Sequence, residues 1–271
     1  MKSAAIGVLL YSSFLWAGSR PKPSESLVIT NVNVVDTRYG GIQPNATVVV
    51  KDGIITAIAR FAVVDTGSHV RVVNADGKYL VAGLWDLNGE TMQNSAEGKA
   101  ALALYVVNGI TGIRDTQAAH EVLAESAGDL PTPEIVMDEP SLHPEFAPSR
   151  SMFAADAFDS KRVPGALLHE QLESLVKDGL SPFRALQSAT FNAALYMAKL
   201  DKYGVIERGH IADMILLEKN PLEDIRNMRK IVAVVLRGTY YSRPQLDDLL
   251  AKAQRQLKHE SDTAADLSAA H

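Results

Sequence analysis

The chain has no cysteine among its 271 residues. That excludes disulfides, thiolate catalysis and every cysteine-ligated zinc site. It also lacks a basic surplus. The net charge is −5 and the pI about 5.8, whereas a nucleic-acid surface needs clustered Lys and Arg. No apolar run is long enough for a confident transmembrane helix; the one near the start, Ala4 to Leu15, is interrupted by Ser12 and Ser13 and falls short of about 20 residues. There is no internal repeat and no low-complexity block. What remains is ordinary for a globular protein: 46% hydrophobic and 22% charged residues, enough for one large domain or two small ones.

The first residues carry their own pattern. Met1-Lys2 is a short basic start, the apolar stretch follows, and small residues stand at Ala17, Gly18 and Ser19 before Arg20-Pro-Lys-Pro-Ser24. A signal peptide over 1–19 is expected, and with it export to a periplasmic or extracellular space with no stable membrane span after cleavage. A buried N-terminal helix is the alternative reading of the same residues.

From Leu27 onward the residues alternate and are rich in Val and Ile. Strands are expected at Leu27–Val35, Ala46–Val50, Ile54–Ala59, Val70–Asn74 and Tyr79–Val81, with hairpin-type Asp-Gly pairs at Asp52-Gly53 and Asp76-Gly77. This start reads as small antiparallel β structure. A helix then fits Ala96–Val107, closed by Asn108-Gly109, followed by a strand at Ile110–Arg114, a helix at Ala118–Ala127 and a strand at Glu134–Met137. Strand–helix–strand alternation marks βα units and a parallel sheet. Residues 138–151 read as a loop. Ala166–Lys177 is amphipathic. Ser181-Pro182 opens a helix with an N-cap and a proline at its first position, carried on to Met197. Strands return at Met214–Leu217 and Ile231–Leu236. A last helix shows its apolar face at Leu246, Leu249, Leu250, Ala253 and Leu257, and the tail beyond Lys258 reads as disordered.

Several motifs resemble those of the amidohydrolase superfamily. Residues 168–194, LHEQLESLVKDGLSPFRALQSATFNAA, and 204–225, GVIERGHIADMILLEKNPLEDI, are long gap-free matches in the right order. Ala82-Gly-Leu-Trp-Asp-Leu-Asn-Gly-Glu90 is similar to the family's first barrel strand, and Asn108-Gly-Ile-Thr-Gly-Ile-Arg-Asp115 to its second. The resemblance covers roughly residues 27–137 and 152–257. It implies an α/β fold with a TIM-like (β/α) barrel at 82–203, a composite small β-sandwich domain formed by both chain ends at 27–81 and 204–240, and a C-terminal helix and tail at 241–271. It also implies a hydrolase acting on non-peptide carbon–nitrogen bonds with a bound divalent metal (Zn, Mn or Mg) and a small-molecule substrate.

The departures are as informative. The family's first strand ends in two histidines, two apart, so that both side chains leave the strand on one face. Here those positions are Asn88 and Glu90. A full barrel takes about 200–250 residues, yet Trp85 and Tyr203 are only about 118 residues apart, room for about half a barrel. The expected barrel is therefore internally truncated, without the strands that carry the family's bridging Lys or Glu and its two further His ligands. Met152-Phe-Ala-Ala-Asp-Ala157 is similar to the segment ending the family's last strand. By that resemblance Asp156 is the candidate metal ligand and general base, with the exposed loop aspartate as the alternative, and Glu90 is the second candidate ligand. His169 reads as structural, His210 as a surface residue, and His120 and His143 have no partner at ligand spacing.

Three functions stay open at this point: an active metal-dependent hydrolase, a catalytically inactive remnant, and a binding module that uses the β domain alone. A half barrel leaves open sheet edges, and these favour a homo-oligomer.

Overall fold

The computed structural model describes residues 26–60, 70–89, 95–115, 130–137 and 165–269. The expected signal peptide, the helix at 118–127 and the loop at 138–151 lie outside them.

The architecture is mixed α/β. Strand β1 (Ser26–Val35) organises the first half of a large sheet. β2 (Ile42–Lys51) lies antiparallel on one side of it, and β3 (Ile54–Ala59) follows from the Asp52-Gly53 turn. Both turn residues have positive φ, 50° and 78°, the conformation that makes Asp-Gly the favoured two-residue hairpin. On its other side β1 receives β4 (Val70–Asn74) and β5 (Tyr79–Ala82), and both run parallel to it. This corrects the expectation of a purely antiparallel start. The Asp76-Gly77 turn does not fold β5 back onto β4. It sets the two end to end along the same neighbour, with Ser26–Thr30 facing β4 and Asn33–Val34 facing β5.

The second half comes from the far end of the chain. β9 (Met214–Leu217) pairs antiparallel with β5, then β10 (Ile231–Leu236) and β11 (Thr239–Ser242) complete the order β11-β10-β9-β5-β1-β2-β3, with β4 beside β1. In β5, β9 and β10 of this eight-stranded sheet both faces are apolar, and the strand period of two divides them. Met214, Leu216, Ala233 and Val235 enter one core, which they share with Val48, Ile55 and Tyr240, so strands from opposite ends of the order meet inside a strongly curled sheet. Ile215, Leu217, Val234 and Leu236 enter the other, under the helices.

A second, three-stranded parallel sheet has the order β6-β7-β8, from Leu84–Gly89, Ile110–Asp115 and Glu134–Met137. α1 (Ser95–Val107) makes the crossover between β6 and β7. α2 (Ala166–Lys177) and α3 (Pro182–Ser188) pack with α1 and with α5 (Arg243–Ala269) around Leu84, Leu102, Ile110, Leu168, Leu186 and Leu246.

Two helices differ from expectation. The one opened by Ser181, whose Oγ accepts from the Arg184 N–H, stops at Ser188, and α4 (Phe191–Tyr196) starts afresh. The Trp85 N–H takes the carbonyl of Ala189 at 2.8 Å, and the Thr190 hydroxyl donates to the Leu186 carbonyl at 2.8 Å. Both bonds occupy groups that a continuous helix needs for its own ladder. α5, in contrast, continues past Lys258 to Ala269. Residues 259–269 contain neither glycine nor proline, so no strong helix breaker stops the chain there.

Candidate functional site

Parallel β/α units gather their functional groups at the C-terminal ends of the strands. Here those ends are side by side: Gly89 of β6 pairs with Asp115 of β7, and Asp115 with Met137 of β8. Asn88 stands one residue from the end of β6, on this edge. Glu90 follows β6 directly, but it and Asp156 lie outside the described residues. So do His120 and His143. Asp115, which closes β7 on the same edge, was not among the residues singled out from the sequence. Its signal was present, since the motif it ends places an Asp there. Among the described residues no group of three or more His, Asp or Glu side chains is gathered so as to hold a metal ion.

The two described candidate histidines have other work. His169 is 2% exposed, and its Nε2 donates to the carbonyl of Asn108 at 2.8 Å, tying α2 to the turn between α1 and β7. Burial pulls its pKa down, against the Asn108 bond and the nearby Glu173 that raise it and with Arg229 that lowers it. His210 is buried as well (8% exposed), which corrects its reading as a surface residue. Its Nε2 donates to the Leu200 carbonyl at 2.9 Å, so an imidazole in a polar-looking turn becomes an internal tie.

His169 has a consequence for pH. Its folded pKa lies below the ordinary value of 6.5, so the unfolded chain binds the proton more readily. The stability it contributes is present above pH 6.5 and is lost as pH falls through the folded pKa. Exchange of His169 for Gln, which keeps a side-chain N–H donor, is expected to flatten this acid-side loss. Urea unfolding of both proteins from pH 7.5 down to 5 checks it; parallel curves would assign the loss to other groups.

At the opposite, N-terminal end of the parallel strands sits a buried polar joint. Trp85 packs edge-on against Tyr203, ring centroids 5.0 Å apart. Asp213, which directly precedes β9, accepts the Arg237 N–H at 2.6 Å through Oδ1, and its carbonyl accepts the Gly83 N–H at 2.9 Å. Its Oδ2 is buried and has no hydrogen-bond partner among the described residues. Burial raises the Asp213 carboxyl to about 6, with Glu134 adding to the rise and Arg237 opposing it. The Tyr203 phenol is raised too, by burial first and then by Glu134 and Asp213. This cluster lies away from the strand ends where the hydrolytic groups are expected.

Comparison with known proteins gives the same direction as the motifs. The amidohydrolase family model matches residues 148–240. Ochratoxinase of Aspergillus niger is 35% identical over 80 residues, 29% of this chain and 17% of the fungal enzyme, so the matched stretch spans about a sixth of that relative's length. Among solved structures, molinate hydrolase superposes with a TM-score of 0.66 at 14% identity, covering 81% of this chain and 95% of that one. Phenylurea hydrolase B gives 0.65 at 15% identity, with 82% and 98% covered. The A. niger ochratoxinase structure gives 0.62 at 14% identity, with 82% and 96% covered. At such identities the superpositions speak to the fold alone.

Proposed function

We propose that this chain, whose residues 148–240 match the amidohydrolase family model, is a hydrolase of non-peptide carbon–nitrogen bonds acting at the C-terminal edge of the β6-β7-β8 sheet. The observation that carries this reading is the alignment of Gly89, Asp115 and Met137 across that edge, with Asn88 on the end of β6 and Glu90 next in the chain.

In this reading Glu90 and Asp156 supply carboxylates to a divalent ion and Asn88 an amide oxygen. Three protein ligands and an open position are the usual minimum for a catalytic metal. An all-oxygen set with no imidazole suits Mg or Mn better than Zn. Bound there, such an ion would acidify a water and polarise the scissile group. Asp156 would take the proton from the attacking water as general base. The substrate is a small molecule, and export with a cleaved leader over 1–19 belongs to the same proposal.

A specific observation favours a second reading, the catalytically inactive remnant: Asn88 and Glu90 stand where the family's paired histidines stand. Metal content decides between the two. After incubation of the full chain with Mn, Mg and Zn and then desalting, the hydrolase reading expects about one ion per chain, lost in Glu90→Ala and in Asp156→Ala. A metal-free wild-type protein of normal fold would leave the remnant.

A further inference from the structure

We propose that Asp213 is a pH-operated tether between the two sheets, whose ionised carboxylate holds Arg237, and through Arg237 the entry to β8, against the large sheet. The residues involved belong to neither the hydrolytic edge nor its metal.

The argument rests on connectivity. Arg237 occupies the turn between β10 and β11 with φ 47°, a left-handed conformation costly for a side chain other than glycine. Three contacts hold that turn. The Arg237 N–H reaches Asp213 Oδ1 at 2.6 Å, the Gly238 N–H reaches the Ala212 carbonyl at 3.0 Å, and Gly238 lies so close to Gly53 that a Cβ on it would meet the Gly53 Cα at 2.8 Å. The Arg237 guanidinium then leaves the large sheet, and its Nη2 donates to the Thr132 carbonyl at 2.7 Å, two residues before β8. Asp213 also anchors β6, since its carbonyl takes the Gly83 N–H immediately before that strand. One aspartate thus touches the starts of β6 and, through Arg237, of β8.

The titratable and charged groups around this carboxyl are Arg237 from the β10–β11 turn, Glu134 from β8 and Tyr203 from the segment after α4. Only the first is a cation. The bond to Oδ1 comes from the Arg237 backbone N–H; it is charge-assisted when the acceptor is a carboxylate and is not when the acceptor is a neutral acid. Glu134 pushes the other way and makes the ionised state harder to keep. Oδ2, buried without a partner among the described residues, lacks a donor that would pin the carboxylate at every pH, and burial lifts its titration to about 6. The same shift sets a sign for global stability. A raised folded pKa contributes stability fully present below the unfolded value of 3.8, lost as pH rises through about 6. Over that window, therefore, the tether tightens while this carboxyl's own contribution to global stability is lost.

Amide hydrogen exchange at Ile135 and Val136 in the full chain, corrected for the intrinsic rate, tests this. Protection in the wild type is expected to be at least about five-fold greater at pH 7.5 than at pH 5, the low end for coupled sites. Asp213→Asn, which keeps an oxygen for the Arg237 N–H, should show no such rise, and Arg237→Met should be weakly protected at both values. A flat wild-type profile, or an Asp213→Asn profile that rises like the wild type, would overturn the proposal. Titration of the Asp213 carboxyl carbon by NMR is read on the wild type alone and needs no variant to fold. Absence of a transition between pH 5 and 7 would equally overturn it.

Discussion

Unfolding of a Trp85→Ala protein is expected to take about 3–5 kcal/mol less free energy than wild type, the usual cost of emptying a fully buried tryptophan site. Trp85 is 1% exposed and packs with Leu87, Ala193, Ala194, Tyr196 and Tyr203. Little around it can collapse inward, because its ring also lies on the backbone of Gly112, where an added Cβ would sit 2.3 Å from ring atoms. That contact makes the prediction specific. Gly112→Ala alone should cost about 1–3 kcal/mol through overpacking, yet in the Trp85→Ala background the same change should cost much less, since the obstructing ring is gone. A double-mutant cycle by denaturant unfolding measures the coupling. Additive costs would mean that Gly112 is held by something other than the indole. Against a total stability of about 5–15 kcal/mol for a domain, the single Trp85 change approaches the limit for a folded chain.

The second large effect is expected at Gly204. Its φ of +86° is one that L side chains rarely adopt, and a Cβ there would lie 2.6 Å from the Ala194 Cβ and 2.9 Å from the Thr190 carbonyl oxygen. Its own carbonyl accepts the buried Thr37 hydroxyl at 2.7 Å, so a shift of the backbone would break a tie to the turn after β1. Strain and overpacking together should lower stability by roughly 2–4 kcal/mol in Gly204→Ala. Thermal and urea unfolding report it. A change below about 1 kcal/mol would mean that the 204 turn relaxes freely, and that the glycine is there for some other reason.

Much of the fold was legible because it is encoded locally. The Val- and Ile-rich alternation marks β1, short apolar runs mark β9 and β10, the Asp52-Gly53 turn marks a hairpin, and Ser181-Pro182 marks a helix start. Features set by distant partners were not legible. β4 and β5 carry no residue that announces a parallel neighbour, because their direction depends on how the chain lies along β1. The break before α4 needs the Trp85 N–H, about a hundred residues earlier, to claim a helix carbonyl. His210 reads as polar surface until the Leu200 carbonyl is seen beside it, and nothing local shows that Asp213 is buried. The candidate site divides in the same way. Asn88 falls on the strand end where its motif puts it, whereas Glu90 and Asp156 follow from resemblance, and the meeting of Gly89, Asp115 and Met137 needed the sheet register.

The seam between β5 and β9 bears on how much chain the large sheet can enclose. Tyr79–Ala82 pairs with Met214–Leu217, so everything between is a loop of roughly 130 residues whose two ends are clamped together by the large sheet. Closing such a loop costs an entropy that grows only with the logarithm of its length, and a twofold change shifts it by about 0.6 kcal/mol. The clamp is therefore nearly indifferent to how many β/α units it encloses. A shorter or a longer enclosed segment leaves the register of the sheet unchanged, and each β/α unit within it has only to bury its own apolar face.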